Sequence, residues 1–223
     1  MDERILVSGG SGGIGAATCA ALHERGLRPV VGYAGNRAEA DDVARQCDGI
    51  VLHLDLTNDA SIDRAVLALA DGDGPLLGAV LAASPAPEIV PFGKTTPDAM
   101  RLQWTVNVMG PQRLLAGIVK SCFRPRKQGI VAGVLTHAMG TETDPPSSSM
   151  AAYVIAKYGL LGLLNTVASE YPWLTVLSVR PGYTETAMLQ AFDPRFLDKA
   201  RARAPFATAQ DVAVSIVRKM FES

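Results

Sequence analysis

Apolar residues in this chain come in short unbroken runs, separated by longer stretches in which they recur every three or four positions. The runs are Ile5–Ser8, Pro29–Tyr33, Gly49–Leu54, Ala79–Ala83, Gly129–Leu135 and Thr175–Val179. Nearly every position within them is apolar, the pattern of strands covered on both faces in a parallel sheet. Between them Gly13–Arg25, Asn36–Gln46, Ser61–Ala70, Pro97–Phe123 and Met150–Glu170 carry helical character, and Thr208–Phe221 adds a final helix. This alternation predicts an α/β fold with a doubly wound parallel sheet of six strands and right-handed crossovers. No internal repeat or linker divides the chain, so residues 1–223 are expected to form one domain. Two irregular stretches remain, Thr141–Ser149 and Tyr183–Pro205. Both follow strands at the carboxyl side of the sheet, where open α/β folds hold ligands.

Composition narrows the function classes. The 223 residues are 48% apolar and 19% charged, with a formal net charge of −1. A nucleic-acid partner held by a basic surface is therefore not expected. Cys19, Cys47 and Cys122 have neither zinc-site nor CxxC spacing, which predicts reduced, packed thiols in a cytoplasm and no metal site. Met1-Asp2-Glu3-Arg4 leads into an apolar run of only Ile5-Leu6-Val7, unlike a signal peptide. The longest uncharged apolar stretch, Leu76–Ala83, is far below the roughly 18 residues of a membrane span, so no membrane partner is expected.

The first strand runs into Ser8-Gly9-Gly10-Ser11-Gly12-Gly13-Ile14-Gly15 and then a helix. Glycines allow a tight turn and let a pyrophosphate approach the helix N-terminus, where free N–H groups and the helix dipole favour negative charge. Alone, the run would be an ordinary glycine-rich turn. The strand before it and the helix after it make it a dinucleotide cradle. With Ser8 in front, Gly9-x3-Gly13-x-Gly15 resembles the TGxxxGxG signature of short-chain dehydrogenases/reductases. It is similar in particular to β-ketoacyl-carrier-protein reductase-like members, which implies a Rossmann-type fold.

Further motifs carry the same resemblance. Tyr153-Val154-Ile155-Ala156-Lys157 is a YxxxK pair, and residues i and i+4 share a helix face. A nearby ammonium favours phenolate, so the tyrosine pKa is expected to fall toward working pH and Tyr153 to exchange a proton with a carbonyl or alcohol. The resemblance implies that Tyr153 is the acid/base and that Lys157 also binds the nicotinamide ribose. Asn107 resembles the family asparagine of the helix after strand four. Pro111 has no N–H for the Asn107 carbonyl, which predicts a kink there, and the resemblance implies a water-mediated relay from that carbonyl to the lysine.

Two positions depart from the family. Its serine after strand five is missing from Val134-Leu135-Thr136-His137-Ala138-Met139-Gly140. Counting back from Gly140 puts His137 in its place. Ending the strand at Leu135 puts Thr136 there, and a threonine hydroxyl donates the same hydrogen bond. Leu81-Ala82-Ala83-Ser84-Pro85 replaces the Asn-Asn-Ala-Gly after strand four, which leaves backbone contacts from Ala82 and Ala83 to the adenosine ribose but removes the asparagine hydrogen bonds.

Nucleotide choice rests on Gly32-Tyr33-Ala34-Gly35-Asn36-Arg37. No carboxylate is present to repel a 2′-phosphate, and Arg37 can pair with one, as in NADP-preferring members; Asn36 belongs to the same turn. The resemblance further implies adenine contacts from Asp55 and Leu56, and nicotinamide contacts from Pro181, Gly182, Thr184 and Thr186. Residues 183–205 are then the substrate lid, and Met188, Leu189, Phe192, Phe196 and Leu197 either line an apolar pocket or pack the lid onto the core. The function expected is NADPH-dependent reduction of a ketone, with a small or carrier-bound substrate such as a 3-oxoacyl thioester. The rival is a non-catalytic NADP(H)-binding sensor or partner subunit. A third reading is alcohol oxidation with NAD. Arg101, Arg113, Lys120, Arg124, Arg126 and Lys127 are either a basic patch for an acidic carrier or ordinary solvated residues. A homodimer through the fourth and fifth helices is implied. The usual seventh strand is not expected beyond Phe221-Glu222-Ser223, which would leave strand six at an edge and the family's common tetramer unavailable.

Overall fold

Each buried run becomes a strand, and the strands lie side by side in parallel. The computed structural model describes residues 3–222, so Met1, Asp2 and Ser223, cited above at the two ends of the chain, lie outside the described residues. The elements that build the core are β1 (Arg4–Ser8), α1 (Gly13–Glu24), β2 (Arg28–Tyr33), α2 (Arg37–Gln46), β3 (Ile50–His53), α3 (Asp59–Asp71) and β4 (Leu76–Leu81). They continue with α4 (Pro97–Trp104), α5 (Gly110–Ile118), β5 (Ile130–Val134), α6 (Ala151–Glu170) and β6 (Thr175–Val179). The six strands order as β3-β2-β1-β4-β5-β6, all parallel, with the chain reversing direction of travel between β1 and β4. β6 stands at an edge, as expected.

Successive strand residues face opposite sides, and two apolar layers result. Leu6, Leu81 and Val131 pack with Ile62 of α3, Leu114 and Ile118 of α5 and Leu164 of α6. Ile5, Val7, Val80 and Ala132 pack on the other face with Leu22 of α1 and with Ile216 of the last helix, α8 (Ala209–Phe221). Gly133 brings α6 down onto β5, because a Cβ there would lie 2.5 Å or less from the Leu164 side chain. α6 has the length and composition of a membrane span, yet it carries Lys157 and packs on the sheet as a core helix.

Two stretches differ from the periodicity. Pro97–Phe123 is not one regular helix: π-turns at Thr105–Met109 and Val119–Phe123 interrupt it. Gly110 N–H bonds the carbonyl five residues back, at Thr105, so the kink expected at Pro111 is an inserted residue in the helical turn. The stretch taken as irregular, Tyr183–Pro205, contains α7 (Pro194–Arg203), whose start was marked by Asp193 capping and Pro194 in the first turn. Short strands β7 (Thr184–Glu185) and β8 (Ala207–Thr208) pair in parallel and pin the two ends of this segment together. Three of the six basic side chains named above are engaged within the chain. Arg113 pairs with Asp63 and Asp59, Arg101 with Asp98, and Arg126 donates to the Leu76 carbonyl.

Candidate active site

The carboxyl ends of β1, β4, β5 and β6 open into one cavity of roughly 780 Å³. Its floor is the glycine turn. Gly9 has φ +68°, and a Cβ on it would press on Ala83 Cα at 2.8 Å; a Cβ on Gly15 would collide with the Gly9 carbonyl. Glycine is thus required for the turn itself to close. Gly12 differs, since nothing nearer than 3.5 Å opposes a Cβ there. Gly12 is also the N-cap of α1, with no side-chain cap and no acidic residue in the first turn. An uncapped helix N-terminus therefore faces the cavity, a cradle that fits the pyrophosphate of a dinucleotide.

Most predicted binding residues line this space. Ser11, Gly13, Ile14, Asp55, Leu56, Ala82 and Ala83 surround the glycine-side half. Asp55 Oδ1 accepts from Thr57 N–H and Oγ1, which holds the strand-three turn. Ala83 N–H donates to Ser8 Oγ at 3.3 Å and ties β4 to β1 where the family asparagine is missing. Pro181, Gly182, Thr184 and Thr186 close the opposite side, with Thr186 packed against Gly13. Asn36 and Arg37 are not on the wall. Asn36 caps α2 by accepting from Glu39 N–H, and Arg37 is a 72% exposed side chain 3.4 Å from Asp41. Of the lid residues, Met188, Leu189 and Phe192 line the cavity, whereas Phe196 and Leu197 do not. Phe196 instead stacks on Phe192 and meets Tyr183 edge-on, and Leu197 is buried under the lid.

The reacting end is formed by α6 against β5. Tyr153 and Lys157 are both buried on one face of α6, as the i, i+4 spacing requires. Lys157 Nζ donates to the Val134 carbonyl at 2.8 Å and lies 5.5 Å from the Tyr153 ring centre. Burial alone acts on this amine and lowers it to about 7. Burial also raises the Tyr153 hydroxyl above the usual phenol range, the reverse of the shift expected from a neighbouring ammonium. The reason is that desolvation by burial is the largest influence on this hydroxyl. The one influence favouring phenolate is the hydroxyl of Thr136. Thr136 is buried and faces Tyr153, and its Oγ1 accepts from Ala138 N–H at 3.1 Å. His137 is exposed at the rim, with its N–H on the Pro181 carbonyl and its ring beside Gly182.

Asn107 does not reach the cavity wall. It is fully buried in the first π-turn, its Nδ2 donating to Gln103 Oε1 and to the Gln103 carbonyl, each at 3.0 Å. Gln103 went unnoticed in the sequence, although its place one turn before Asn107 puts it on the same helix face. The three cysteines are free thiols, all raised by burial.

The chain is similar to known proteins in sequence and in fold. A family model described as enoyl-(acyl carrier protein) reductase matches residues 9–217. D-beta-hydroxybutyrate dehydrogenase of Rhizobium meliloti (strain 1021) is 30% identical over 215 residues, covering 91% of this chain and 78% of that protein. Acetoacetyl-CoA reductase of Paracoccus denitrificans is 30% identical over 214 residues, covering 89% and 81%. The crystal structure of ribose-5-phosphate isomerase from Brucella melitensis 16M superposes with a TM-score of 0.89 at 24% identity, covering 99% and 86%. At that identity the likeness shows the fold alone.

The buried amine makes stability depend on pH. Lys157 sits near 7 in the folded chain and near 10.4 once unfolded, so between these values the unfolded state binds the extra proton. Stability should rise with pH across that window and carry the full desolvation cost below it. Relative to Lys157→Met, urea denaturation of the wild type should gain up to about 1.4 kcal/mol per pH unit above 7. A flat difference from pH 7 to 10 would contradict the buried amine.

Proposed function

The chain belongs to the short-chain dehydrogenase/reductase family of oxidoreductases, and on that premise we propose that it reduces an uncharged ketone with NADPH. The observation that carries this reading is the meeting of the Tyr153 and Thr136 hydroxyls at the inner end of the cavity, with Lys157 behind them. Thr136 Oγ1 accepts from Ala138 N–H, and its O–H, which faces the Tyr153 hydroxyl, turns to donate to a substrate carbonyl when one enters. Tyr153, kept protonated by burial, gives its proton to the same oxygen as the carbon is reduced. Lys157, close to neutral pH in its affinity for a proton, resupplies Tyr153, and the Asn107 carbonyl, left without an i+4 donor by Pro111, supports that relay. When bound, the reduced nicotinamide supplies the hydride. Gly9, Gly13, Gly15 and the α1 N-terminus would hold its pyrophosphate, Asp55 and Leu56 the adenine, Lys157 the ribose, and Pro181–Thr186 the carboxamide end. Thr136 takes the place of the family serine, and His137 stays at the rim. This leaves the non-catalytic rival without its motivation.

The substrate end is apolar. Pro85, Ala86, Pro87, Met150, Leu189 and Phe192 line it, and among the described residues Lys157 is the one Lys or Arg on the wall. A free carboxylate would find no guanidinium to pair with there. A neutral 3-oxoacyl thioester fits better than a 3-oxo acid, which sides with the acetoacetyl-CoA reductase rather than the hydroxybutyrate dehydrogenase among the relatives. Residues 183–205 act as the lid over this pocket, within one domain spanning the chain. A cytoplasmic location is part of this reading, supported by the three free thiols among the described residues.

Purified protein should oxidise NADPH with acetoacetyl thioesters. Tyr153→Phe should cut kcat by about 10³-fold or more while leaving the NADPH Kd within a few-fold of wild type. Equal turnover of acetoacetate and its thioester would sink the neutral-substrate reading.

NADP preference rests on Arg37, loosely held and free to swing over a 2′-phosphate, with no carboxylate at the end of β2. Arg37→Glu should weaken NADPH binding about tenfold or more and leave NADH nearly unaffected. An unchanged NADPH/NADH ratio would reject the assignment.

The outer face of α4, the π-turn and α6 exposes Trp104, Met109, Ile155 and Tyr158. Such a contiguous apolar stripe suits a homodimer across these helices. Sedimentation should show two chains for wild type and one for the double variant Met109→Glu, Ile155→Glu; a monomeric wild type would rule the dimer out.

A further inference from the structure

Gln103 is a large amide with 2% exposure, and every hydrogen it can donate is spent on one loop. Its Nε2 lies 3.2 Å from the Pro85 carbonyl and 3.0 Å from the Ala86 carbonyl. The loop in question, between β4 and α4, reads Ser84-Pro85-Ala86-Pro87 and forms one wall of the substrate cavity. Two prolines in four residues cannot donate backbone N–H groups, so the loop offers few donors to its own carbonyls. Gln103 answers two carbonyls with two N–H bonds.

The other end of the amide is held as firmly. Gln103 Oε1 accepts from Asn107 Nδ2, whose second hydrogen goes to the Gln103 main-chain carbonyl. Turning the Asn107 amide over would set its oxygen against both of these acceptors, so the orientation is fixed by its neighbours. The cost is visible: Asn107 Oδ1 is buried and has no partner. A polar network held at such a cost is ordered by the contacts it does make. The same stretch of helix packs on α6, where a Cβ on Gly159 would meet Val108 and Trp104 at 2.7 and 2.9 Å. The helical stretch that carries this pair thus touches the loop wall through Gln103 and α6 through Val108 and Trp104.

We propose that Gln103 is a positioning residue for the substrate. It holds the Ser84–Pro87 wall at its distance from the reacting end, with Asn107 fixing the amide that does so. The inference rests on the ketone reduction proposed above, because it concerns the half of the cavity away from the nucleotide cradle. The side-chain hydrogen bonds of Gln103 go to this loop and to Asn107, so its loss should be felt in substrate binding more than in nucleotide binding.

Gln103→Leu keeps the volume and removes both donors. Hydrogen–deuterium exchange on the free, full chain should quicken about fivefold or more across residues 84–90, with β1 and α1 within twofold of wild type. With an acetoacetyl thioester, KM should rise about tenfold while the NADPH Kd stays within twofold. Gln103→Glu adds a readout that a purely structural role does not predict, and it serves where the leucine variant fails to fold. A protonated carboxyl keeps one donor toward the loop carbonyls and a carboxylate keeps none, so KM of this variant should climb with pH more steeply than wild type. Unchanged exchange, KM and NADPH Kd rising together, or a Gln103→Glu KM that tracks wild type across pH would each overturn the proposal. Exchange is read without turnover. A wild-type chain that reduces no ketone would therefore reject the reaction, while the exchange data would still decide whether Gln103 sets the wall.

Discussion

An amino group buried without a counter-ion organises the working end of this molecule. Lys157 lies beneath α6 with the Val134 carbonyl as its hydrogen-bond partner, and desolvation is the sole influence on its proton affinity. Removing an ammonium from water is expensive, and a protein commonly meets that cost by letting the group lose its proton. The helix can press it there because Gly133 lacks a side chain under Leu164 and Gly159 lacks one under Trp104. Once α6 is held in that position, Tyr153 one turn earlier must lie over Thr136. The cavity then ends at two hydroxyls with a buried amine behind them. The geometry of the chemistry follows from how closely three elements approach.

The two halves of the cavity are ordered by opposite means. On the nucleotide side the structure works by omission: Gly9, Gly13 and Gly15 have no side chains, and the backbone closes on itself and on Ala83 and Thr186. What remains is a surface of N–H groups at a helix terminus, suited to an anion. On the substrate side the ordering comes from added polar groups, buried amides that answer the carbonyls of a proline-rich loop. The first device tolerates no extra atom, and the second tolerates no missing donor. Both limit how far the walls can move.

Much of this was legible from residue order. Strand runs, the glycine turn and the Tyr153–Lys157 pair follow from periods of two and 3.6 residues, which local geometry enforces. The failures have physical causes. Pro97–Phe123 looked continuous because a π-turn keeps helical composition and changes only which carbonyl each N–H selects. α7 is hidden within Tyr183–Pro205 because its irregular flanks mask the Asp193–Pro194 start. Phe196 and Leu197 are apolar, as a pocket would need, but aromatic stacking within the lid claims one and the lid's underside the other.

Residue order determined the architecture, the placement of a dinucleotide cradle and the face that carries tyrosine and lysine. These depend on neighbours within a turn or a strand, where covalent geometry leaves few choices. Packing is what separates Thr136 from His137: two residues beyond β5, Thr136 is extended and buried, and the next residue is exposed at the rim. The direction of the Tyr153 shift was likewise set in three dimensions, since burial depends on what α6, β5 and the lid together exclude, and no spacing encodes that. Gln103 belongs to the same class. Its partners lie 17 and 18 residues away along the chain, and only folding shows that a helix amide and a proline-rich loop complete each other's hydrogen bonds.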